Sequence, residues 1–292
     1  MNKTIFRDGT RNAIRFSEFT KIDAETPFAG IGVKYVASGV EEYIANNRRF
    51  VVREGEYIIG NDFTSTIVHI DQKQTVQGLC IDISPDIVNE VAEYHDLNHS
   101  DLKEFLLSDQ FFVNRYNVKN TSLGYSLVEL NQKIKSGDGL NDFLQEELFY
   151  SLAESIITDQ RFVFHHLNKM NFKKASTNED VFRQLLKGKD LIDEHCSENI
   201  SLAKICSGAG ISRYHFIRLF KNIFGISPYQ YQKRKRLDSA KTGLIHGCSV
   251  SEVALSCGYP DASSFSKAFK QVFGQYPGSF ARANSESKGA AE

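Results

Sequence analysis

Between Ser201 and Lys270 one pattern of residues occurs twice, so each occurrence is expected to fold into the same local unit. The first copy runs from Ser201-Leu202-Ala203-Lys204-Ile205-Cys206 through Gly210-Ile211-Ser212 to Phe216-Ile217-Arg218-Leu219-Phe220-Lys221. The second runs from Ser249-Val250-Ser251-Glu252-Val253-Ala254 through Gly258-Tyr259-Pro260-Asp261 to Phe265-Ser266-Lys267-Ala268-Phe269-Lys270. Before the turn the copies are offset by 48 residues (Leu202 with Val250, Gly210 with Gly258), and after it by 49 (Phe216 with Phe265, Gly225 with Gly274, Pro228 with Pro277). The second turn is therefore one residue longer.

In each copy a small residue, Cys206 or Ala254, lets two helices approach, and the glycine beyond it can take the positive φ that leaves a helix. Ser212 and Asp261 stand where a side-chain oxygen accepts an orphan N–H of the next helix. Phe216, Leu219 and Phe220, and in the second copy Phe265, Ala268 and Phe269, recur at helical spacing and give that helix one buried face. The arrangement is a helix-turn-helix, whose second helix is free to lie in a DNA major groove.

The charges divide in the same place. Residues 1–179 hold 19 Lys+Arg against 26 Asp+Glu, whereas residues 180–282 hold 15 against 8. An acidic front joined to a basic back is what an ordinary domain attached to a nucleic-acid binder shows. With 292 residues and 41% hydrophobic content the chain is long enough for two domains. No apolar run approaches the roughly 20 residues of a transmembrane helix. The N-terminus lacks the apolar core of a signal peptide, so a cytoplasmic location is expected, with no membrane contact. The five cysteines are scattered, without a Cys-x-x-Cys pair, and read as reduced core thiols.

The front half opens with strands over residues 1–83, including 31–36, 42–45, 49–52, 57–61, 65–70 and 75–83, with Asn46-Asn47 as a type I′ hairpin turn. Short strands at this spacing suggest a small β-barrel or sandwich. The stretch from Tyr43 to Ile59 resembles the strand, turn, strand piece of cupin-like sensory domains. Cupin enzymes hold metal on a His-x-His pair, and none occurs here; His69 is the sole histidine before His95. Helices are expected over residues 84–167: one opening at Pro85, one from Leu123 to Ile134, and one from Leu140 to about Thr158. The last carries a stripe of Phe143, Leu144, Glu147, Leu148, Ser151, Leu152 and Ser155, which is either core or, if exposed, a dimerisation face. Residues 168–180 read as a polar linker, 181–282 as the DNA-binding domain, and 283–292 as a flexible tail. His95 and His99 share a helical face but lack a third ligand nearby, adjacent His165 and His166 read as structural, and no Gly-x-Ser-x-Gly elbow occurs. No metal, cofactor or catalytic site is expected.

Residues 183–282 resemble the two-motif DNA-binding domain of AraC-type transcriptional regulators. The residues that carry the likeness are Ala254-x3-Gly258-Tyr259, Ser264-Phe265-Ser266-Lys267-x-Phe269-Lys270-x2-Phe273-Gly274-x2-Pro277, and Arg236-Leu237-x2-Ala240-Lys241. With the strand spacing and the cupin-like stretch, the resemblance implies an α+β protein: a cupin-like β-barrel with following helices, then an all-α domain of two helix-turn-helix motifs joined by one helix. It implies base contacts from Tyr214, Ile217 and Arg218 in the first motif and from Ser263, Ser264, Ser266 and Lys267 in the second. It implies backbone contacts from Arg213, His215, Lys221 and Lys270. Arg218 and Lys267 can donate to guanine, while Ile217 offers only an apolar contact, most naturally to a thymine methyl. The first motif is expected to dominate specificity and the second to anchor. In the run Lys233-Arg234-Lys235-Arg236, Arg236 is expected to make an internal salt bridge.

The expected function is a sequence-specific transcriptional regulator of bacterial, nucleoid-associated setting, binding double-stranded DNA. Its front domain would sense a small-molecule effector or form a homodimer, and RNA polymerase would be a partner if it activates. Two other readings stay open: an architectural DNA-binding protein without sequence choice, and a cupin-type enzyme fused to a DNA-binding domain.

Overall fold

The computed structural model describes residues 2–8, 11–94, 100–137, 144–170, 175–196, 198 and 200–289. It divides into two compact units, Met1–Asn171 and Phe172–Glu292.

The first unit has eight antiparallel strands: β1 (Asn2–Arg7), β2 (Ala13–Glu25), β3 (Ile31–Ser38), β4 (Val40–Ala45), β5 (Arg48–Arg53), β6 (Glu56–Asn61), β7 (Thr66–Ile83) and β8 (Asn114–Asn117). Their order is β1-β2-β7-β3-β6-β8, with the β4–β5 hairpin paired to the first part of β7. Asn46 and Asn47 take φ of 46° and 61°, the two left-handed residues a type I′ turn demands. Arg115 of β8 donates to the Val51 carbonyl of β5 at 3.1 Å, so the strands curl round as expected of a cupin-like barrel. Around the curl lie Lys34, Glu41 and Asp82, all nearly inaccessible to water. Each is matched: Lys34 Nζ donates to Thr26 Oγ1 at 2.7 Å, Tyr43 donates to Glu41, and Arg15 pairs with Asp82. Burial lowers the Lys34 pKa and raises that of Glu41.

Residues 65–83, expected as two strands, form the single strand β7. Its polar middle, Gln72–Thr75, bulges out of register between the Lys21–Asp71 and Phe19–Val76 pairs, but the strand runs on through it without a turn. Helices α1 (Pro85–Tyr94), α2 (Ser100–Leu106), α3 (Ser122–Ser136) and α4 (Glu146–Asn168) follow. Helix α4 starts after and outlasts the expected span: Glu146 and Glu147 suit its positive end, and no glycine or proline stops it before Asn168. Its stripe is not an exposed apolar face. Leu144 and Leu152 are buried, Glu147 and Ser151 are exposed, and Phe143 lies outside the described residues. The inward face is Phe149, Leu152, Ala153, Ile156 and Ile157.

His166 is buried near the end of α4, its ring 4.2 Å from that of Phe162. Burial, then the neighbouring His165 and Lys169, push its pKa from the ordinary 6.5 down to about 4. The folded form thus binds fewer protons than the unfolded chain, and stability present above pH 6.5 is lost as pH falls toward 4. Melts of the protein should show the front unit's midpoint falling between pH 6.5 and 5, with a shallower fall in His166→Gln.

The second unit is all helical: α5 (Ala175–Glu194), α6 (Leu202–Ala209), α7 (Arg213–Phe224), α8 (Pro228–Ile245), α9 (Val250–Ser256), α10 (Ala262–Phe273) and α11 (Pro277–Gly289). The segment 168–180 read as a linker is helical from Ala175, because its polar residues form the first turns of α5. The expected tail likewise continues α11 through Gly289. The cysteines are free thiols, but Cys248 is exposed and so is not core. Among the described residues no helix is long and apolar enough to cross a membrane, and no three His, Cys, Asp or Glu cluster to hold a metal. His95 and His99 lie outside the described residues.

Candidate nucleic-acid interface

The first motif is assembled by caps. Ser201 Oγ accepts from Lys204 N–H at 3.3 Å to open α6, and Gly210 closes it in the left-handed region, φ 73°. Ile211 N–H then reaches back to the Cys206 carbonyl at 3.1 Å, the bond that seals a Schellman turn. Ser212 Oγ accepts from His215 N–H and starts α7. That helix buries Phe216, Leu219, Phe220 and Ile223. Arg213, Tyr214, His215, Ile217, Arg218 and Lys221 are all exposed. Tyr214, Ile217, Arg218 and Lys221 stand three, four and seven residues along and so form one outward row.

Helix α5 backs α7. A Cβ on Gly188 would come within 2.4 Å of the Phe216 ring, so the absent side chain is what lets α5 and α7 meet. Asp193 at the far end of α5 has a side chain only 6% exposed and gathers three donors. Lys189 Nζ lies 2.9 Å away, Lys235 Nζ 3.1 Å, and Tyr231 OH donates at 2.9 Å. The last two belong to α8, so one carboxylate pins α5 to the linking helix. Burial, then Asp193, push the Tyr231 pKa upward.

The second motif repeats the construction. Ser249 and Glu252 form a capping box on α9. Gly258 takes φ 73°, and Tyr259 N–H bonds the Ala254 carbonyl at 2.9 Å. The extra residue is absorbed between Gly258 and the N-cap, Asp261, without disturbing either helix. Ser263, Lys267 and Lys270 are exposed on α10 and Ser266 is half-buried. The Ser264 hydroxyl donates to Asp261 Oδ2 at 3.0 Å while its N–H bonds Oδ1 at 2.7 Å. These bonds, with Lys267 nearby, hold the Asp261 carboxyl below its usual range, so an anion sits at the start of α10. Lys270 Nζ stands 4.3 Å from the Tyr276 ring centroid.

Helix α8 serves both motifs. Ser227 and Gln230 form its capping box with Pro228 at its first turn, and Leu237, Ala240 and Leu244 enter the core of the second motif. Its basic run is turned to structural use more than the sequence suggests. Arg236 points inward, onto the Cys196 and Glu198 carbonyls at 2.9 and 2.7 Å, and Lys233 bonds Gln271 of α10 at 3.0 Å. Sequence reasoning passed over Asp193 and Tyr229. The only local signal for Asp193 was Lys189 one turn before it, and Tyr229 is singled out by its exposure, 75%, unusual for a large hydrophobic ring.

Residues 205–283 match the family model described as a helix-turn-helix domain. The "Probable transcriptional regulator LumQ" of Photobacterium leiognathi is 41% identical over 87 residues, 30% of this chain and 35% of that one. The chain thus spans about a third of that relative's length. The "Raffinose operon transcriptional regulatory protein RafR" of Pediococcus pentosaceus is 25% identical over 248 residues, 84% of this chain and 82% of that one. A solved AraC-type regulator structure from Chromobacterium violaceum aligns with a TM-score of 0.34 at 26% identity, over 35% of this chain and 91% of the other. The paired motifs and their linking helix agree with that match: residues 205–283 are a helix-turn-helix domain.

Proposed function

We propose that the protein is a sequence-specific DNA-binding transcriptional regulator. The observation that carries this reading is the pair of equivalently capped helices, α7 and α10, each packed through one phenylalanine face with basic residues on the other. Arg218 has the fork geometry for guanine O6 and N7, and Tyr214 and Ile217 flank it on the exposed row. Arg213, His215, Lys221 and Lys270 dock phosphates, which adds affinity without choosing sequence. Ser263 and Lys267 are the open positions of the second motif; Ser264 is committed to its cap, which supports the first motif as the main reader.

The front unit, with Lys34, Glu41, Tyr43 and Asp82 buried inside it, is where a small-molecule effector or a second copy of the chain acts, and RNA polymerase is the partner if the outcome is activation. For a duplex enriched from a random pool by the protein, Arg218→Ala should weaken binding about 10- to 100-fold and relax the choice at one base pair. Lys221→Ala should weaken all duplexes alike and reduce the salt slope by about 1. If the Arg218→Ala protein keeps full affinity and selectivity in gel-shift competition, the reading fails.

A further inference from the structure

Beside α7 opens a groove of about 340 Å³ whose walls are mostly apolar, with Leu202 and Ile205 of α6, Ile217 of α7, and Pro228 and Tyr229 of α8, and with Ser201, Ser227 and Gln232 as its polar lining. Ile217 is 41% exposed and Tyr229 75% exposed, although both are large and hydrophobic. The second copy carries Ser266 and Gly278 at the equivalent places. A Cβ on Gly278 would meet nothing, so that motif has no aromatic wall to match Tyr229.

What occupies the groove follows from its setting. Ile217 stands in one exposed row with Arg218 and Lys221, inside the unit that gathers the chain's positive charge. A polyanion drawn to that row brings Ile217 against its own apolar parts. In the DNA major groove the apolar group on a base edge is the thymine 5-methyl, and beside it on the same strand lies a deoxyribose. We propose that Ile217 and Tyr229 form a thymine seat, the 5-methyl packing on Ile217 and the neighbouring deoxyribose on the Tyr229 ring. The DNA element read by the first motif then prefers a thymine through its methyl, without a hydrogen bond selecting it. This rests on the DNA-binding reading above and adds to it a base, a mechanism and the residue Tyr229.

The test uses the full-length protein and a duplex enriched by it from a random pool, in which each thymidine is replaced in turn by deoxyuridine. That change removes the methyl and leaves every hydrogen-bonding group in place. One replacement should weaken wild-type binding about fourfold, the worth of one buried methyl. In Ile217→Ser, which installs the second copy's own residue at an exposed position, the same replacement should have no effect. Tyr229→Ala should weaken the parent duplex while leaving the same thymine sensitive. Equal binding of every deoxyuridine duplex by wild type, or a sensitivity that persists in Ile217→Ser, overturns the seat but leaves sequence selection standing. Failure to enrich any sequence would overturn sequence selection and the seat with it.

Discussion

Replacing Asp193 by Ala should cost the DNA-binding unit about 3 kcal/mol, at the low end for breaking a buried charge cluster. The loss comes from what stays behind: Lys189 Nζ, Lys235 Nζ and Tyr231 OH all converge on one carboxylate that is 6% exposed. Lys235, 39% exposed, can turn to water, whereas Lys189 at 19% and the Tyr231 hydroxyl are held where they are. Both ammonium groups also lie over the Tyr231 ring, 5.7 and 5.5 Å from its centroid, so the phenol is fixed from two sides. Urea unfolding followed on the basic unit would measure the effect. Asp193→Asn, which keeps an acceptor for Tyr231 but loses the charge, should fall between the two. A loss below about 0.5 kcal/mol in Asp193→Ala, the level of an ordinary surface change, would show that α5 and α8 are held together by their apolar contacts alone.

Phe269→Ala should be as damaging but more local, at about 3–5 kcal/mol. Phe269 is fully buried, with the rings of Phe265, Phe273 and Phe280 at 5.6, 4.6 and 5.6 Å. It joins α10 to α11 and to the Leu237, Ala240 and Leu244 side of α8. The first motif has its own ring cluster, Phe220 with Phe216, Phe224 and Tyr231. Amide exchange should therefore quicken through α9, α10 and α11 while α6 and α7 keep their protection. Uniform loss of protection through the seven described helices of the unit would mean that the two cores unfold together.

What could be read from the sequence was written locally. The caps at Ser201, Ser212, Ser227, Ser249 and Asp261, the closing glycines and the Asn46-Asn47 turn each depend on residues within a few positions of one another. Strand β2 escaped notice because its apolar residues change phase between Phe16 and Phe19, which breaks the alternation that marks a strand. The single strand β7 looked like two because its polar middle, Gln72–Thr75, is a bulge between two paired segments, and the chain passes through it in the same direction instead of turning. Within the interface, the exposed row on α7 follows from helical periodicity. The Asp193 cluster draws on residues 38 and 42 positions away, and no local pattern announces it. The diversion of Ser264 to its own cap depends on a rotamer, which residue type leaves open.

Helix α8 also sets the phase of the second motif against the first. The extra residue between Gly258 and Asp261 was accommodated because a turn can bulge, but α8 has packed partners at both of its ends. One residue inserted in its middle would advance the second motif by about 1.5 Å and rotate it by about 100°. In the DNA-binding reading, its exposed basic face would then swing away from whichever side of the duplex the first motif had taken. Under the DNA-binding reading, the spacing between the two sequence elements of a target is therefore set by the length of α8 and not by the turns of the motifs.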